Sequence, residues 1–152
     1  MSSSITLPAD FSLVGLGVTA ALLLNQWQQH LVVRARKTAG VRYPTLYATD
    51  AEAAADPKKQ MYNCTQRANA NTLESIPFIL AEYGFLSIFY PKAALAFLGL
   101  YLLGRVSYTI NYAKGEPLKR NKGLAPVSYI GLAGLMFGSA GIAVVRSLAA
   151  FS

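Results

Sequence analysis

The sequence predicts an all-α, membrane-spanning four-helix bundle. Of its 152 residues, 53% are hydrophobic and only 14% are charged, whereas a soluble domain usually carries about a quarter charged residues. The mean hydropathy is +0.33. A hydrocarbon core about 30 Å thick requires roughly 20 apolar residues per helical crossing, and the apolar residues fall into four blocks. This pattern excludes a disordered chain, a disulfide-stapled module and an ordinary soluble enzyme.

The four blocks form one predicted domain over residues 1–152. The helices are expected at about 11–33, 62–90, 92–113 and 126–151, with loops at about 34–61 and 114–125. No basic segment precedes the first block, and no small-residue cleavage site follows it, so we interpret it as a retained span. The second block ends at Pro91, because proline cannot continue the hydrogen-bond ladder of a helix. The spacing of four glycines predicts that the fourth helix packs closely on another helix: Gly131, Gly134, Gly138 and Gly141.

The distribution of basic residues predicts the orientation in the membrane. Eleven of the fourteen Lys and Arg residues lie within 34–67 or 114–122. By the positive-inside rule both loops are cytosolic, and both termini lie across the membrane. Orientation and lipid headgroups therefore account for the net charge of +7, and we expect no nucleic-acid partner. We also expect no metal site. Residues 147–152 carry no retention signal, which leaves the endoplasmic reticulum and the mitochondrial outer membrane open.

Polar residues at the start of the second helix predict a ligand pocket. Arg67, Asn71 and Glu74 stand at i, i+4 and i+7 and so share one helix face. Ionisable groups in a span face the bundle interior or a cavity and are functional candidates. The donor fork of Arg67 fits a carboxylate, and Glu74 would accept an ammonium group, which together suit a small zwitterionic peptide. The alternative is an interhelical salt-bridge and hydrogen-bond network that holds the bundle together.

A second polar cluster lies near the cytosolic end of the third helix. Arg105, Tyr108 and Tyr112 stand at i, i+3 and i+7. Tyrosine near a membrane boundary also occurs simply as part of the aromatic belt, and this is the alternative for Tyr112. Arg105 lies deeper in the span and requires a partner such as a carboxylate. We consider Glu82 as a candidate for that partner.

Several segments carry a family resemblance. The run NCTQRANANTLE at 63–74 resembles the NCxQRAxxNTLE signature of the MAPEG family, the membrane-associated proteins of eicosanoid and glutathione metabolism. YPTLYATD at 43–50, GRVSY at 104–108 and GEPLKR at 115–120 resemble segments of its type-3 microsomal glutathione transferases. The similarity covers about residues 34–123 in the same order and spacing, which makes it far more specific than one short motif.

The resemblance implies a four-helix subunit that assembles as a homotrimer in the lipid bilayer. It also implies glutathione as co-substrate, bound between neighbouring subunits at the cytosolic side. Two positions depart from the family pattern: Asn69 replaces a common histidine, and Asn111 replaces a glycine. The positions that match glutathione-contacting residues are Arg36, Arg67, Asn69, Asn71, Glu74, Tyr108 and Tyr112.

The family places a catalytic arginine just after the third helix. Alignment on Gly123 assigns this role to Arg120, whereas alignment forward from Tyr112 assigns it to Lys119. We favour Arg120, with Lys119 as the alternative. Without the resemblance, the basic run 119–122 would be interpreted as a segment that contacts anionic lipid.

These observations predict a membrane-bound glutathione transferase or peroxidase. Such an enzyme activates glutathione as a thiolate, which a guanidinium stabilises. The thiolate is then conjugated to a lipophilic electrophile, or reduces a lipid hydroperoxide. The alternative is a non-catalytic MAPEG-like protein that binds lipid or serves as a scaffold subunit of a larger membrane assembly.

Overall fold

The computed structural model describes residues 7–151, and all regular structure within that range is helical. The helices are α1 Leu13–Ala39, α2 Asp50–Ala55, α3 Pro57–Phe89, α4 Pro91–Tyr112 and α5 Val127–Phe151, with short 3-10 helices at Ala9–Ser12 and Pro117–Lys119. By length and composition, the four long helices are able to cross a membrane. The predicted all-α fold with four candidate spans is confirmed for these residues.

Helix α1 is longer at its C-terminal end than the predicted 11–33. It continues to Ala39, with Arg36 and Lys37 in its last turn. Cations are favourable there because they lie against the negative end of the helix dipole. Gly40 ends the helix in the left-handed conformation, with φ of 65°, which glycine adopts without steric cost. The predicted end at 33 is wrong, because that boundary was placed where the hydropathy of the sequence falls. The helix continues beyond its apolar segment, because its C-terminal cap, Gly40, lies further along the chain.

The predicted loop 34–61 also contains helical structure. Helix α2 begins with a capping box, in which the side chains of Thr49 and Glu52 each accept from the other's backbone N–H. Asp56 caps α3 by accepting from the N–H of Lys58 at 2.8 Å, and Pro57 occupies the first turn, where its missing N–H costs nothing. Helix α3 therefore starts five residues before the predicted 62. Helices α4 and α5 span 91–112 and 127–151, against predicted bounds of 92–113 and 126–151.

The long helices alternate in direction, so α1 and α4 run parallel to each other and antiparallel to α3 and α5. Their shared core is apolar and includes Leu24, Ile79, Tyr83, Leu98 and Leu135. The Tyr83 hydroxyl donates to the Leu13 carbonyl at 2.9 Å. This crossing depends on Gly17, because a Cβ there would lie 2.3 Å from the Tyr83 oxygen.

Glycines also bring α5 against α4. A Cβ on Gly131 would lie 2.4 Å from the Phe97 carbonyl oxygen, and one on Gly104 would lie 2.2 Å from the Ser128 nitrogen. The close contact predicted from the glycine spacing is confirmed at Gly131, and it places the start of α5 beside the polar residues of α4. The contact is also confirmed for Gly134 and Gly138, four residues apart, where a Cβ would lie 2.2 Å from the Phe97 ring and 3.1 Å from the Leu86 side chain, whereas a Cβ on Gly141 would meet nothing within 4 Å.

Candidate functional site

Arg67 and Glu74 form an ion pair on the outer face of α3. Arg67 Nη1 lies 2.8 Å from Glu74 Oε1, and the two side chains are 46% and 56% exposed. Of the two predicted environments, the bundle interior or a cavity, the interior does not apply to Arg67, because its position on α3 turns outward. The pair also joins residues of one helix, so it does not link helices within the subunit. An exposed ion pair on a membrane-spanning helix is costly against lipid.

The opposite side of α3 carries a second set of polar residues, which are buried. Asn69 and Thr72 lie in the interior of the bundle. Asn69 follows Arg67 by two positions, which corresponds to about 200° around a helix. The Asn69 Oδ1 atom is buried and accepts no hydrogen bond from the part of the chain that the structure describes. Asn69 therefore does not join Arg67 and Glu74 on one surface of this subunit.

Arg105 is buried and is held by neutral acceptors. Its Nη2 and Nε donate to Thr72 Oγ1 at 2.7 and 3.1 Å, and its Nη1 donates to Asn71 Oδ1 at 3.3 Å. Among residues 7–151 it has no carboxylate partner. The candidate pairing with Glu82 is wrong: the two side chains form no ion pair within the described chain, and Glu82 lines a separate groove between α3 and α5.

Helix α1 completes this buried network. Gln28 Nε2 donates to Thr72 Oγ1 at 2.9 Å and to Thr109 Oγ1 at 2.7 Å. Three helices therefore meet at the Thr72 hydroxyl, which accepts from both Gln28 and Arg105. Gln28, Thr72 and Thr109 were not predicted from the sequence as site residues. Thr72 lies within the 63–74 motif, but for Gln28 and Thr109 the signal was only their polar character within apolar spans, since the bonded residues lie 33 to 81 positions apart.

An aromatic ladder connects Arg105 to the loop after α4. The Arg105 guanidinium lies over the Tyr108 ring, 4.0 Å from its centroid. Tyr108 and Tyr112 are in edge-to-face contact, with centroids 5.5 Å apart. The Arg120 guanidinium lies 5.9 Å from the centroid of Tyr112. Two cations therefore sit at the two ends of a tyrosine pair, an arrangement that the negative faces of the rings stabilise.

The two basic residues proposed for catalysis lie in different environments. Lys119 pairs with Glu116 on the exposed surface. Arg120 is half-buried, donates from Nη1 to the Pro117 carbonyl at 2.8 Å and forms no ion pair within the described chain. Its remaining donors are thus available for an anionic group near Tyr112.

A cleft of about 270 Å³ opens beside the Arg105 network, between α3, α4 and α5. Asn71, Glu74 and Arg105 line it together with Tyr101 and Tyr129. The cleft therefore combines two residues of the predicted α3 stripe with a guanidinium of α4. Arg67 does not line the cleft, and it is connected to the cleft only by its ion pair with Glu74.

Arg36 lies apart from this cleft and has partners in its own subunit. Its Nη1 donates to the Thr45 carbonyl at 2.6 Å. Its guanidinium also lies over the rings of Tyr43 and Tyr62, at 4.4 and 4.9 Å from the centroids. Within the subunit, Arg36 anchors the segment between α1 and α2.

Comparison with protein-family models supports the same classification as the motifs. The model of the MAPEG family matches residues 14–141, which include all four long helices in large part and every residue of the cleft. With four helices able to span a bilayer, the chain is an integral membrane protein. It belongs to the MAPEG family, which includes glutathione transferases and related proteins.

Proposed function

We propose that this protein is a membrane-bound glutathione transferase acting on lipophilic electrophiles. The observation that carries the proposal is the position of Arg120. It is a guanidinium without a carboxylate partner in the described chain, linked through Tyr112 and Tyr108 to a cleft that Asn71, Glu74 and Arg105 line.

The donors and acceptors of the site suit glutathione. This tripeptide carries two carboxylates, one ammonium group, two amides and a thiol. The guanidinium of Arg67 would bind a carboxylate in bidentate fashion, and Glu74 would accept from the ammonium group. The amide of Asn71 would pair with a peptide group. The Arg67–Glu74 pair is exposed, so each of the two side chains could exchange the other for an oppositely charged group of glutathione.

Arg120 would supply the activation of the thiol. A free thiol has a pKa of about 8.5 and is only a few per cent ionised at pH 7. A neighbouring guanidinium lowers a thiol pKa by stabilising the thiolate, and each unit corresponds to about 1.4 kcal/mol. Lowering by about two units would ionise most of the bound thiol.

The chemical step then needs an electrophile from the lipid phase. The thiol proton leaves to solvent, and the sulfur lone pair forms the carbon–sulfur bond. The electron pair displaced from the electrophilic carbon departs with a leaving group, or takes up a proton. With a lipid hydroperoxide, the thiolate would instead attack the terminal oxygen, the O–O bond would break, and the alkoxide would take up a proton and leave as an alcohol. A second glutathione would then convert the resulting sulfenic acid to glutathione disulfide and water.

We further propose a homotrimer in which a neighbouring subunit covers the Arg67–Glu74 face. The supporting observation is that face itself, since an ion pair on a spanning helix is disfavoured in lipid. The basic loops would face the cytosol, where glutathione would enter, in the endoplasmic reticulum or the mitochondrial outer membrane.

The test is the ultraviolet absorbance of the thiolate when glutathione is titrated into detergent-purified protein at neutral pH. Wild type is compared with Arg120→Ala and with Lys119→Ala as the matched control. We expect a thiolate signal in wild type and Lys119→Ala, and none in Arg120→Ala, while calorimetry still detects glutathione binding.

Other outcomes change the assignment in defined ways. Loss of the signal in Lys119→Ala alone would move the activating role to Lys119. If wild-type protein of intact helical content shows neither binding nor a thiolate, the transferase proposal is wrong and the scaffold alternative takes its place.

A further inference from the structure

A groove between the parallel helices α1 and α4 lies on the side of the bundle away from α5. Its apolar part has a volume of about 430 Å³. Leu23 and Trp27 line it from α1, and Leu103 and Val106 line it from α4. Leu23 and Leu103 are each more than 60% exposed. Every side chain lining this part is apolar, which suits a hydrocarbon chain.

A cationic mouth lies further along α1, where its C-terminal half meets the start of α3 close to the end of α4. This second cavity, of about 300 Å³, is lined by residues of α1, by residues of α3 and by the residue that follows α4: Leu31, Arg34, Ala35 and Thr38, then Lys58, Met61 and Thr65, then Ala113. Its lining contains two cations and no carboxylate. Neither Arg34 nor Lys58 forms an ion pair within residues 7–151. The mouth is therefore complementary to an anion.

The apolar part and the mouth follow one another along the helices. On α1 the lining residues run from Ala20 through Trp27 to Arg34, which spans about 21 Å at 1.5 Å per residue. One leaflet of hydrocarbon measures about 15 Å, half of a core of about 30 Å. An acyl chain would thus lie against the apolar part while its headgroup reached the cations.

We propose that the α1–α4 groove, together with the cationic mouth that follows it along α1, is a binding site for one anionic phospholipid of the cytosolic leaflet. The phosphate lies against Arg34 and Lys58, and one acyl chain packs against Trp27. This site is separate from the cleft that Glu74 and Arg105 line, so it does not depend on the proposed transferase activity.

Trp27 provides the test, because it is the chain's single tryptophan and it lines the groove. The protein is reconstituted in phosphatidylcholine nanodiscs that contain increasing fractions of phosphatidylserine with brominated acyl chains. Bromine quenches tryptophan fluorescence on contact. We expect brominated phosphatidylserine to quench Trp27 at a lower mole fraction than phosphatidylcholine with the same brominated chains.

The double variant Arg34→Gln/Lys58→Gln removes both cations of the mouth. Each cation near an anionic surface contributes about fivefold in affinity, so loss of both should raise the phosphatidylserine fraction required for half-quenching roughly 25-fold. Lys37→Gln/Arg42→Gln is the matched control, because it removes the same charge from neighbouring positions outside the groove. We expect the control to keep the preference, and both variants to retain quenching by brominated phosphatidylcholine.

Three results would overturn the proposal. Equal quenching of wild-type Trp27 by both lipids would show that the mouth does not select anions. Equal loss of the preference in the two double variants would attribute it to the general surface charge. Absence of quenching by either lipid would show that the groove is covered by another protein surface, such as a second copy of the chain.

Discussion

Two polar regions of α3 differ in how their charges are satisfied. On the inner side, the Thr72 hydroxyl accepts from Arg105 and Gln28, and no carboxylate takes part. On the outer side, Arg67 and Glu74 pair with each other and stay exposed. The subunit thus holds its buried cation with neutral acceptors and places both members of an ion pair outside. The inner region serves the packing of the subunit, whereas the outer region is available for a ligand and a partner.

The largest effect is expected at Thr72. Thr72→Val keeps the shape of the side chain but removes the acceptor shared by Gln28 and Arg105, which leaves buried donors unpaired. This should lower the free energy of unfolding by about 3 kcal/mol, measured by denaturant titration in detergent. The control is Thr65→Val, because the Thr65 hydroxyl donates only to the Met61 carbonyl of its own helix and its loss should cost under about 1 kcal/mol. Equal losses in the two variants would contradict a special role for Thr72.

The opposite balance is expected at Arg67, with a small effect on stability and a large effect on glutathione binding. Arg67→Leu breaks an exposed ion pair, so the free energy of unfolding should change by less than about 1 kcal/mol. Loss of a charged hydrogen bond to the ligand should weaken glutathione binding about tenfold, measured by calorimetry. If the variant instead unfolds easily and binds glutathione normally, the assignment of the two regions must be reversed.

A smaller effect is expected at Gln28. Its Oε1 atom is buried without a hydrogen-bond partner in the described chain, so only the donor side of its amide group is hydrogen-bonded. Gln28→Met removes the two donated bonds together with this unpaired oxygen, and the expected loss is about 1 kcal/mol or less. A loss as large as that of Thr72→Val would show that Gln28, rather than Arg105, depends most on the Thr72 hydroxyl.

The smallest effect concerns Glu52, an exposed partner of Lys59 outside the spans. The hydrogen bond from Lys59, and then those from Thr49, lower the pKa of Glu52 from 4.5 to about 2. Since the folded pKa is the lower one, the stabilisation is present above about pH 4.5 and is lost as the pH falls toward 2. A ¹³C NMR titration of the Glu52 carboxyl group should give a midpoint near 2, and Lys59→Met should raise it. In contrast to Arg67→Leu, Lys59→Met should leave glutathione binding unchanged.

The motif residues of the site could be identified from the sequence, but their arrangement could not. Helical spacing placed Arg67 and Glu74 on one face, and the structure pairs them. The same reasoning could not tell which side of α3 would be covered by α1 and α4, so the burial of Asn69 and the outward position of Arg67 were not predicted.

The sequence by itself determined the number of candidate spans, the position of the basic segments between them and the family. Hydropathy, charge and motif order are local properties of the chain, so they can be read without the tertiary structure. Only the tertiary structure decided the partners of Arg105. The Thr72 hydroxyl lies 33 positions away, and the Gln28 amide reaches the same hydroxyl from 44 positions away. Which side chains meet across two helices depends on how far one helix slides and rotates against the other. Side-chain packing and close contacts at Gly17, Gly104 and Gly131 set that register, and no local pattern records it.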